Sequence, residues 1–134
     1  MKYLLDTNTC IYYLNGRSTA IRDHFHRQQP ADIAVCSVVI AEMFAGAMKS
    51  NFPERSLAKQ RAFLSHFASY PFDDEAALHY GQIRAGLELA GSLIGPYDLQ
   101  IAAIAVSHNL ILVTSNIREF SRVPTLQIED WTRP

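Results

Sequence analysis

Cysteine is scarce in this chain, since only Cys10 and Cys36 occur among 134 residues. Small secreted domains that depend on disulfides contain many more cysteines, and zinc sites usually place theirs in closely spaced pairs. Neither pattern is present, and both cysteines lie among apolar residues. We therefore expect two reduced thiols in a hydrophobic core, with neither a disulfide scaffold nor a cysteine zinc site.

An excess of charge of one sign is also lacking. The chain carries 12 basic and 13 acidic residues, for a formal net charge of −1. It has no overall basic field of the kind that attracts nucleic acid, although a local basic patch would not show in this sum. Apolar residues make up 49% and charged residues 19%, as in ordinary globular proteins. We expect a single domain, residues 1–134.

Long hydrophobic runs are missing as well. The longest stretch without a charge, residues 99–117, is divided by Ser107, His108 and Asn109. It predicts a buried helix followed by a buried strand rather than a membrane span. Asp6 interrupts the apolar N-terminus, so no signal peptide is predicted. We expect a cytoplasmic protein that does not associate with membranes.

Short apolar stretches bounded by turn residues predict strands at 2–5, 32–36, 69–72, 110–114 and 126–128. Helical patterns fill the intervals, most clearly at 38–49, 54–67, 74–90 and 97–108. Strands that alternate with helices are typical of α/β proteins. The expected fold is a three-layer α/β/α arrangement around a mostly parallel sheet of about four to five strands.

Asp6 directly follows the first predicted strand, in the stretch YLLDTNT. One interpretation is that Asp6 caps the next helix, because Asp, Asn and Thr side chains accept hydrogen bonds from free helix N–H groups. The other is that it belongs to a ligand site, because open α/β sheets bind ligands at the carboxyl ends of their strands.

Further polar residues are expected at the same edge of the sheet: Glu42, Asp98 and Asn116. Glu42 is the only charge in VVIAEMFAGAM, and burying an unpaired carboxylate costs several kcal/mol. It either lies on a solvent-facing stripe, pairs with Arg22 or Arg84, or has a function.

If Asp6, Glu42 and Asp98 share a pocket, their mutual repulsion is large. Two like charges about 4 Å apart repel by about 4 kcal/mol at an effective dielectric constant of about 20. A divalent cation would relieve this repulsion. Oxygen ligands without nearby His or Cys suit Mg²⁺ or Mn²⁺, the ions that phosphodiester-cleaving enzymes use.

Four segments are distributed in order along essentially the whole chain: LLDTNTCIYYLNG, SVVIAEMFAGAMKS, IGPYDLQIAAIAVSHNLILVTSNIREFSRV and IEDW. Together they resemble the PIN-domain family, and within it the VapC-type toxins of bacterial VapBC toxin–antitoxin pairs. The resemblance implies a PIN-like fold and an Mg²⁺- or Mn²⁺-dependent endoribonuclease. It further implies cleavage of structured RNA of the translation machinery, either tRNA or rRNA, to 5′-phosphate and 3′-hydroxyl ends, which inhibits translation.

The resemblance also implies roles for single residues. Asp6, Glu42 and Asp98 match the three acidic catalytic positions, which hold the metal directly or through water. Many family members have a fourth acid in a Thr-x-Asp pattern, where this chain has Thr114-Ser115-Asn116. The expected supporting residues are therefore Asn116, Glu119, Thr7, Asn8 and Thr114, with Thr7 and Asn8 orienting Asp6 or a water. Candidate contacts to RNA phosphates are Arg118, Arg84 and Arg22.

The expected partners are a VapB-type antitoxin, RNA and a second copy of the chain in a homodimer. The antitoxin would lie in a groove formed largely by residues 38–67, with candidate contacts at Met43, Phe44, Phe52 and Leu57. Two other functions stay open. One is a PIN-like binding module with a degenerate site, and the other is a phosphatase of the haloacid-dehalogenase type, whose D-x-D-x-T signature DTNT approaches.

Overall fold

A five-stranded sheet forms the centre of the protein, whose residues 2–134 are described by a computed structural model. Its strands are Tyr3–Leu5 (β1), Ile33–Cys36 (β2), Ala68–Tyr70 (β3), Ile111–Val113 (β4) and Ile128–Glu129 (β5). They lie in the order β3-β2-β1-β4-β5, and every neighbouring pair is parallel. The predicted α/β fold is confirmed, with a sheet that is parallel throughout.

Helices flank this sheet. They are Thr7–Leu14 (α1), Thr19–His26 (α2), Ser37–Met48 (α3), Pro53–Leu64 (α4), Asp74–Leu89 (α5), Pro96–Ser107 (α6) and Ile117–Phe120 (α7). The four long helices lie within a few residues of their predicted ranges. Helix α6 begins at a proline, whose fixed φ and missing N–H suit a first turn. Gly91, with φ +68°, follows the end of α5, where a left-handed conformation favours glycine.

The strand order reverses direction at β1. From β1 the chain moves to β2 and then to β3 on one side, and afterwards crosses to β4 and β5 on the other side. Right-handed crossovers then place α1–α4 on one face and α5–α6 on the opposite face. The two halves of the fold diverge between β1 and β4, which opens a crevice at the carboxyl ends of these strands.

The core lies between the sheet and the helices. Leu4, Leu5 and Leu112 are fully buried, and Trp131 packs edge-on against Tyr3 with ring centroids 5.1 Å apart. Cys10 and Cys36 are buried free thiols, as predicted, and burial raises the pKa of Cys36 to about 11.

Met43 is fully buried in the core. The expectation that it contacts an antitoxin is therefore wrong. Its position in the apolar helix α3 faces the sheet, whereas Phe52, just before α4, is 63% exposed.

No helix within residues 2–134 combines the length and the apolar character that a membrane crossing requires. The longest helix, α5, has 16 residues and begins with two acidic ones.

Candidate active site

Asp6 occupies the crevice between β1 and β4. It follows β1, its own N–H donates to the carbonyl oxygen of Val113 at 3.0 Å, and its side chain accepts from the N–H of Thr9 at 2.8 Å. Asp6 therefore caps α1, which confirms the first interpretation. It also lies at the reversal point of the sheet, the position that the ligand-site interpretation requires. Only 5% of it is exposed.

Two threonines fix the surroundings of Asp6. The Thr9 hydroxyl donates to the carbonyl oxygen of Val113 at 3.2 Å and so ties α1 to the end of β4. Thr114 hydrogen-bonds the Asp6 carboxyl, and its oxygen accepts from the N–H of Asn116 at 3.0 Å. Burial raises the pKa of Asp6 above its ordinary value and the charge of Glu42 adds a smaller effect, while hydrogen bonds from Thr114 and Thr9 oppose the shift. Sequence reasoning missed Thr9, because nothing in the sequence pairs it with Val113.

Glu42 reaches the same region from α3. It is half-buried, and its Oε1 accepts a hydrogen bond from the Thr7 hydroxyl at 2.7 Å. Thr7 therefore orients Glu42 rather than Asp6. The alternative in which Glu42 pairs with an arginine is wrong, because Arg22 pairs with Asp23 and Arg84 pairs with Glu88.

Asp98 and Glu119 complete the acidic cluster. Asp98 lies in the first turn of α6 and Glu119 lies in α7. Burial, followed by the charge of Glu119 and a hydrogen bond with it, raises the pKa of Asp98 to about 6. Glu42 and Asp6 contribute smaller effects in the same direction. These four carboxyl groups, which come from four separate parts of the chain, therefore interact with one another.

Asn116 contacts this cluster through Glu119. Its Nδ2 donates to Oε2 of Glu119 at 3.3 Å. The neutral amide thus holds a carboxylate that lies three residues further along the chain and next to Asp98. In this way the Glu119 carboxylate stays beside position 116, which the family resemblance predicts as a supporting residue.

Among residues 2–134, no positive side chain forms an ion pair with the cluster. The ion pairs within residues 2–134 join Arg22 to Asp23, Arg84 to Glu88, and Arg133 to Asp130, and none includes a member of the cluster. The carboxyl pKa values of Asp6 and Asp98 are raised by burial and, to a smaller extent, by neighbouring acids, so a cation would stabilise this cluster.

The donor set fits Mg²⁺ or Mn²⁺ by its chemistry, because all its ligand atoms are oxygens. Among the described side chains, no three acidic, histidine or cysteine residues already meet as a ready-made metal cage. Mg²⁺ does not require one, since it usually binds one or two carboxylates and retains several waters. Any of Asp6, Glu42, Asp98 and Glu119 could supply such a ligand.

The predicted RNA-contacting arginines lie outside this cluster. Arg118 is exposed on α7, next in sequence to Glu119. The Arg84 guanidinium donates hydrogen bonds to Glu88 at 2.7 Å and to the Tyr80 hydroxyl at 3.0 Å, both on its own helix. Arg22 lies on α2, exposed beside Asp23. Asn8 is exposed, and no side-chain hydrogen bond engages it in the described part of the chain.

Comparisons with known proteins agree with this architecture. The model of the family described as PIN domain matches residues 3–126. The tRNA(fMet)-specific endonuclease VapC of Salmonella typhimurium is 43% identical over 131 residues, covering 98% of each chain.

Solved structures give the same result. The DNA-bound VapBC complex from Salmonella typhimurium contains a chain with a TM-score of 0.92 and 43% identity, at 98% coverage of both chains. The VapBC2 complex from Rickettsia felis, bound to a fragment of its promoter, contains one with a TM-score of 0.91 and 37% identity, covering 98% of this chain and 99% of that one. The chain therefore belongs to the PIN-domain family and, within it, to the VapC proteins.

Proposed function

We propose that this protein is the toxin of a VapBC-type toxin–antitoxin pair and acts as a divalent-metal-dependent endoribonuclease. The observation that carries this proposal is the acidic cluster of Asp6, Glu42, Asp98 and Glu119. It lies at the reversal point of a parallel sheet, and no basic side chain in the described part of the chain pairs with it. We further propose that residues 1–134 form one PIN domain.

The residues of the cluster have distinct roles in this proposal. Asp6 and Asp98 hold Mg²⁺ or Mn²⁺, and Glu42 and Glu119 bind it directly or through water. When bound, the cation would offset the charge of the scissile phosphate and activate a water for in-line attack. Thr7 orients Glu42, Thr114 orients Asp6, and Asn116 orients Glu119. Such supporting hydrogen bonds hold ligands in productive positions.

The protonation of Asp98 matters near neutral pH. Its raised pKa of about 6 means that the group still carries a proton in mildly acidic solution. The carboxylate needed for a cation forms as the pH rises above this value. We propose that Asp98 is ionised, and competent to bind the cation, at neutral pH.

The proposed substrate is structured RNA of the translation machinery, and initiator tRNA is the first to test. The Salmonella relative named as an endonuclease specific for tRNA(fMet) shares 43% of its residues with this chain. Arg118 is the arginine nearest in sequence to the cluster, and we propose that it contacts phosphate.

We propose a VapB-type antitoxin as the partner that silences the enzyme, and a homodimer as its assembled form. The related solved complexes from Salmonella and Rickettsia are VapBC complexes. Because the proposed RNA and antitoxin are cytoplasmic molecules, we propose the same location for this protein.

The test is cleavage of purified RNA by antitoxin-free protein. Initiator tRNA, an elongator tRNA and ribosomal RNA are incubated with Mg²⁺, Mn²⁺ or EDTA, with wild-type protein and with Asp6→Asn. Asparagine is chosen because it caps helices as well as aspartate does, so α1 keeps its cap. We expect discrete fragments with 5′-phosphate ends from the wild type, none with EDTA and none from Asp6→Asn.

Intact RNA in every reaction of a folded, antitoxin-free wild type would overturn the proposal. It would favour the alternative of a PIN-like binding module. Tight binding of an RNA without cleavage would identify the ligand of that module.

A further inference from the structure

A groove next to the acidic cluster separates α3 from the start of α6. It has a volume of about 380 Å³, at the lower end of the range for small organic ligands. We call it the α3–α6 groove, and the residues that define it are Ser37, Ala41, Glu42, Ala45, Tyr97 and Gln100. Glu42 belongs both to this groove and to the acidic cluster. Whatever fills the groove therefore lies beside the proposed cleavage site.

Tyr97 forms one wall of the groove and immediately precedes Asp98 in α6. Its side chain is 60% exposed, among the more exposed large apolar side chains of the described residues. An exposed aromatic ring beside an RNA-cleaving site has a direct use, because unpaired bases stack on Tyr, Phe and Trp. The opposite wall at Ala41 and Ala45 carries only methyl groups, which leaves room for a flat ring.

The polar groups of the groove match the edge of a base. Gln100 lies one helical turn after Tyr97 on the same side of α6, and no side-chain hydrogen bond within residues 2–134 engages its amide. The Ser37 oxygen accepts from the N–H of Phe72 at 3.2 Å, so its hydroxyl hydrogen is free to donate. The amide offers both donors and an acceptor, as the hydrogen-bonding edge of a nucleobase requires.

The charge of the groove excludes a phosphate and favours a base. The only ionisable side chain among those that define it, apart from the tyrosine, is the acidic Glu42. An anionic phosphate would be repelled there, whereas a neutral aromatic ring would not. A nucleotide whose phosphate lies at the metal site can place its own base, or the neighbouring base, in the groove.

We propose that the α3–α6 groove binds an unpaired base of the RNA next to the scissile phosphate, with Tyr97 as the stacking residue and Gln100 reading the edge of the base. This inference rests on the proposed ribonuclease activity and deepens it by assigning a specificity site. It predicts that the enzyme cuts next to a base that is not stacked in a helix.

The first experiment measures kcat/KM for cleavage of initiator tRNA in Mg²⁺. Tyr97→Ala should lower kcat/KM by about tenfold to a hundredfold, the range that loss of one stacked base implies. Tyr97→Phe should retain the wild-type value, because the ring is kept. Leu78→Ala is the matched control, since Leu78 is 58% exposed on α5, outside the groove, and should leave kcat/KM unchanged.

The second experiment shows whether Tyr97 contacts a base or merely supports the fold. Abasic nucleotides are placed one at a time around the mapped cleavage site. We expect one abasic position that lowers cleavage by the wild type at least as much as Tyr97→Ala does, and that lowers cleavage by Tyr97→Ala much less than it lowers cleavage by the wild type. If the loss from the abasic nucleotide and the loss from Tyr97→Ala multiply independently at every position, the assignment is overturned.

The remaining outcomes are also decisive. If the wild type cleaves RNA and Tyr97→Ala is fully active, the proposed base-binding site is overturned. The proposed ribonuclease activity is then unaffected. A change in the oligomeric mass of Tyr97→Ala without loss of cleavage would show that this face joins two copies of the chain instead. A wild type that cleaves no RNA would overturn the proposed function and this inference with it.

Discussion

The Nδ2 of Asn116 lies 3.3 Å from Oε2 of Glu119 and donates a hydrogen bond to it. Glu119 in turn raises the pKa of Asp98 by its charge and by a hydrogen bond. A neutral amide therefore holds a carboxylate that interacts with Asp98.

This relationship predicts the behaviour of Asn116→Asp. A second carboxylate beside Glu119 should lower the free energy of unfolding of the metal-free protein by about 1 kcal/mol, because like charges repel in a half-buried site. Mg²⁺ should raise the melting temperature of Asn116→Asp more than that of the wild type. Thermal unfolding with EDTA and with Mg²⁺ measures both effects. Equal responses to Mg²⁺ would show that position 116 does not lie near the cation.

The hydrogen bond from Thr7 to Glu42 predicts that a variant without the Thr7 hydroxyl loses activity but still folds. Thr7→Val keeps the shape of the side chain but cannot donate, so Glu42 loses its orientation. We expect RNA cleavage to fall by about tenfold to a hundredfold, as for other groups that orient metal ligands. Stability should change by only about 1 kcal/mol. Thr7→Ser, which keeps the hydroxyl, is the control and should retain most of the activity.

The raised pKa of Asp98 predicts how stability depends on pH in the absence of metal. Since the pKa is about 6 in the folded protein and 3.8 ordinarily, the folded state binds this proton more tightly than the unfolded state does. The resulting stabilisation is complete below about pH 4 and is lost as the pH rises through about 6. Asp98→Asn should therefore be more stable than the wild type at pH 7.5, by about 1–2 kcal/mol. This is less than the full value for two pKa units, because solvent screens a half-buried carboxyl.

Urea unfolding of both proteins in EDTA, at pH 4 and at pH 7.5, measures this difference. Carboxylates that do not interact with Asp98 titrate alike in both proteins, so their contributions cancel in the comparison. If Asp98→Asn is more stable than the wild type by the same free energy at both pH values, the difference does not arise from the ionisation of Asp98.

Much of the fold follows from local sequence signals. The apolar runs around Leu4, Val35 and Leu112 are bounded by polar turn residues, and they are the three central strands. The strand β5 begins two residues later than predicted, because Leu126 packs against the core from a loop rather than from the strand. Helix α7 has only four residues, too few to show a helical period in the sequence.

The site was partly predictable for a topological reason. Asp6 follows a strand, Asp98 lies in the first turn of a helix and Glu42 lies about one turn into a helix, and a parallel sheet brings such positions to one edge. The contacts between particular side chains were not predictable. Thr7 lies 35 residues from Glu42 in sequence, and only the packing of α1 against α3 brings them together. The exposure of Tyr97 depends likewise on how α6 meets α3.

The central claim is that one divalent cation is held by carboxylates from separate parts of the chain, and direct titration tests it. Mn²⁺ binding is measured by isothermal titration calorimetry at pH 7.5 for the wild type, Asp98→Asn, Glu119→Gln and Asp74→Asn. Asp74 is an exposed acid in the first turn of α5 and serves as the control. We predict saturable binding by the wild type and Asp74→Asn, none by Asp98→Asn, and affinity weakened by about tenfold in Glu119→Gln. Equal binding by all four proteins, or by none of them, would contradict the claim.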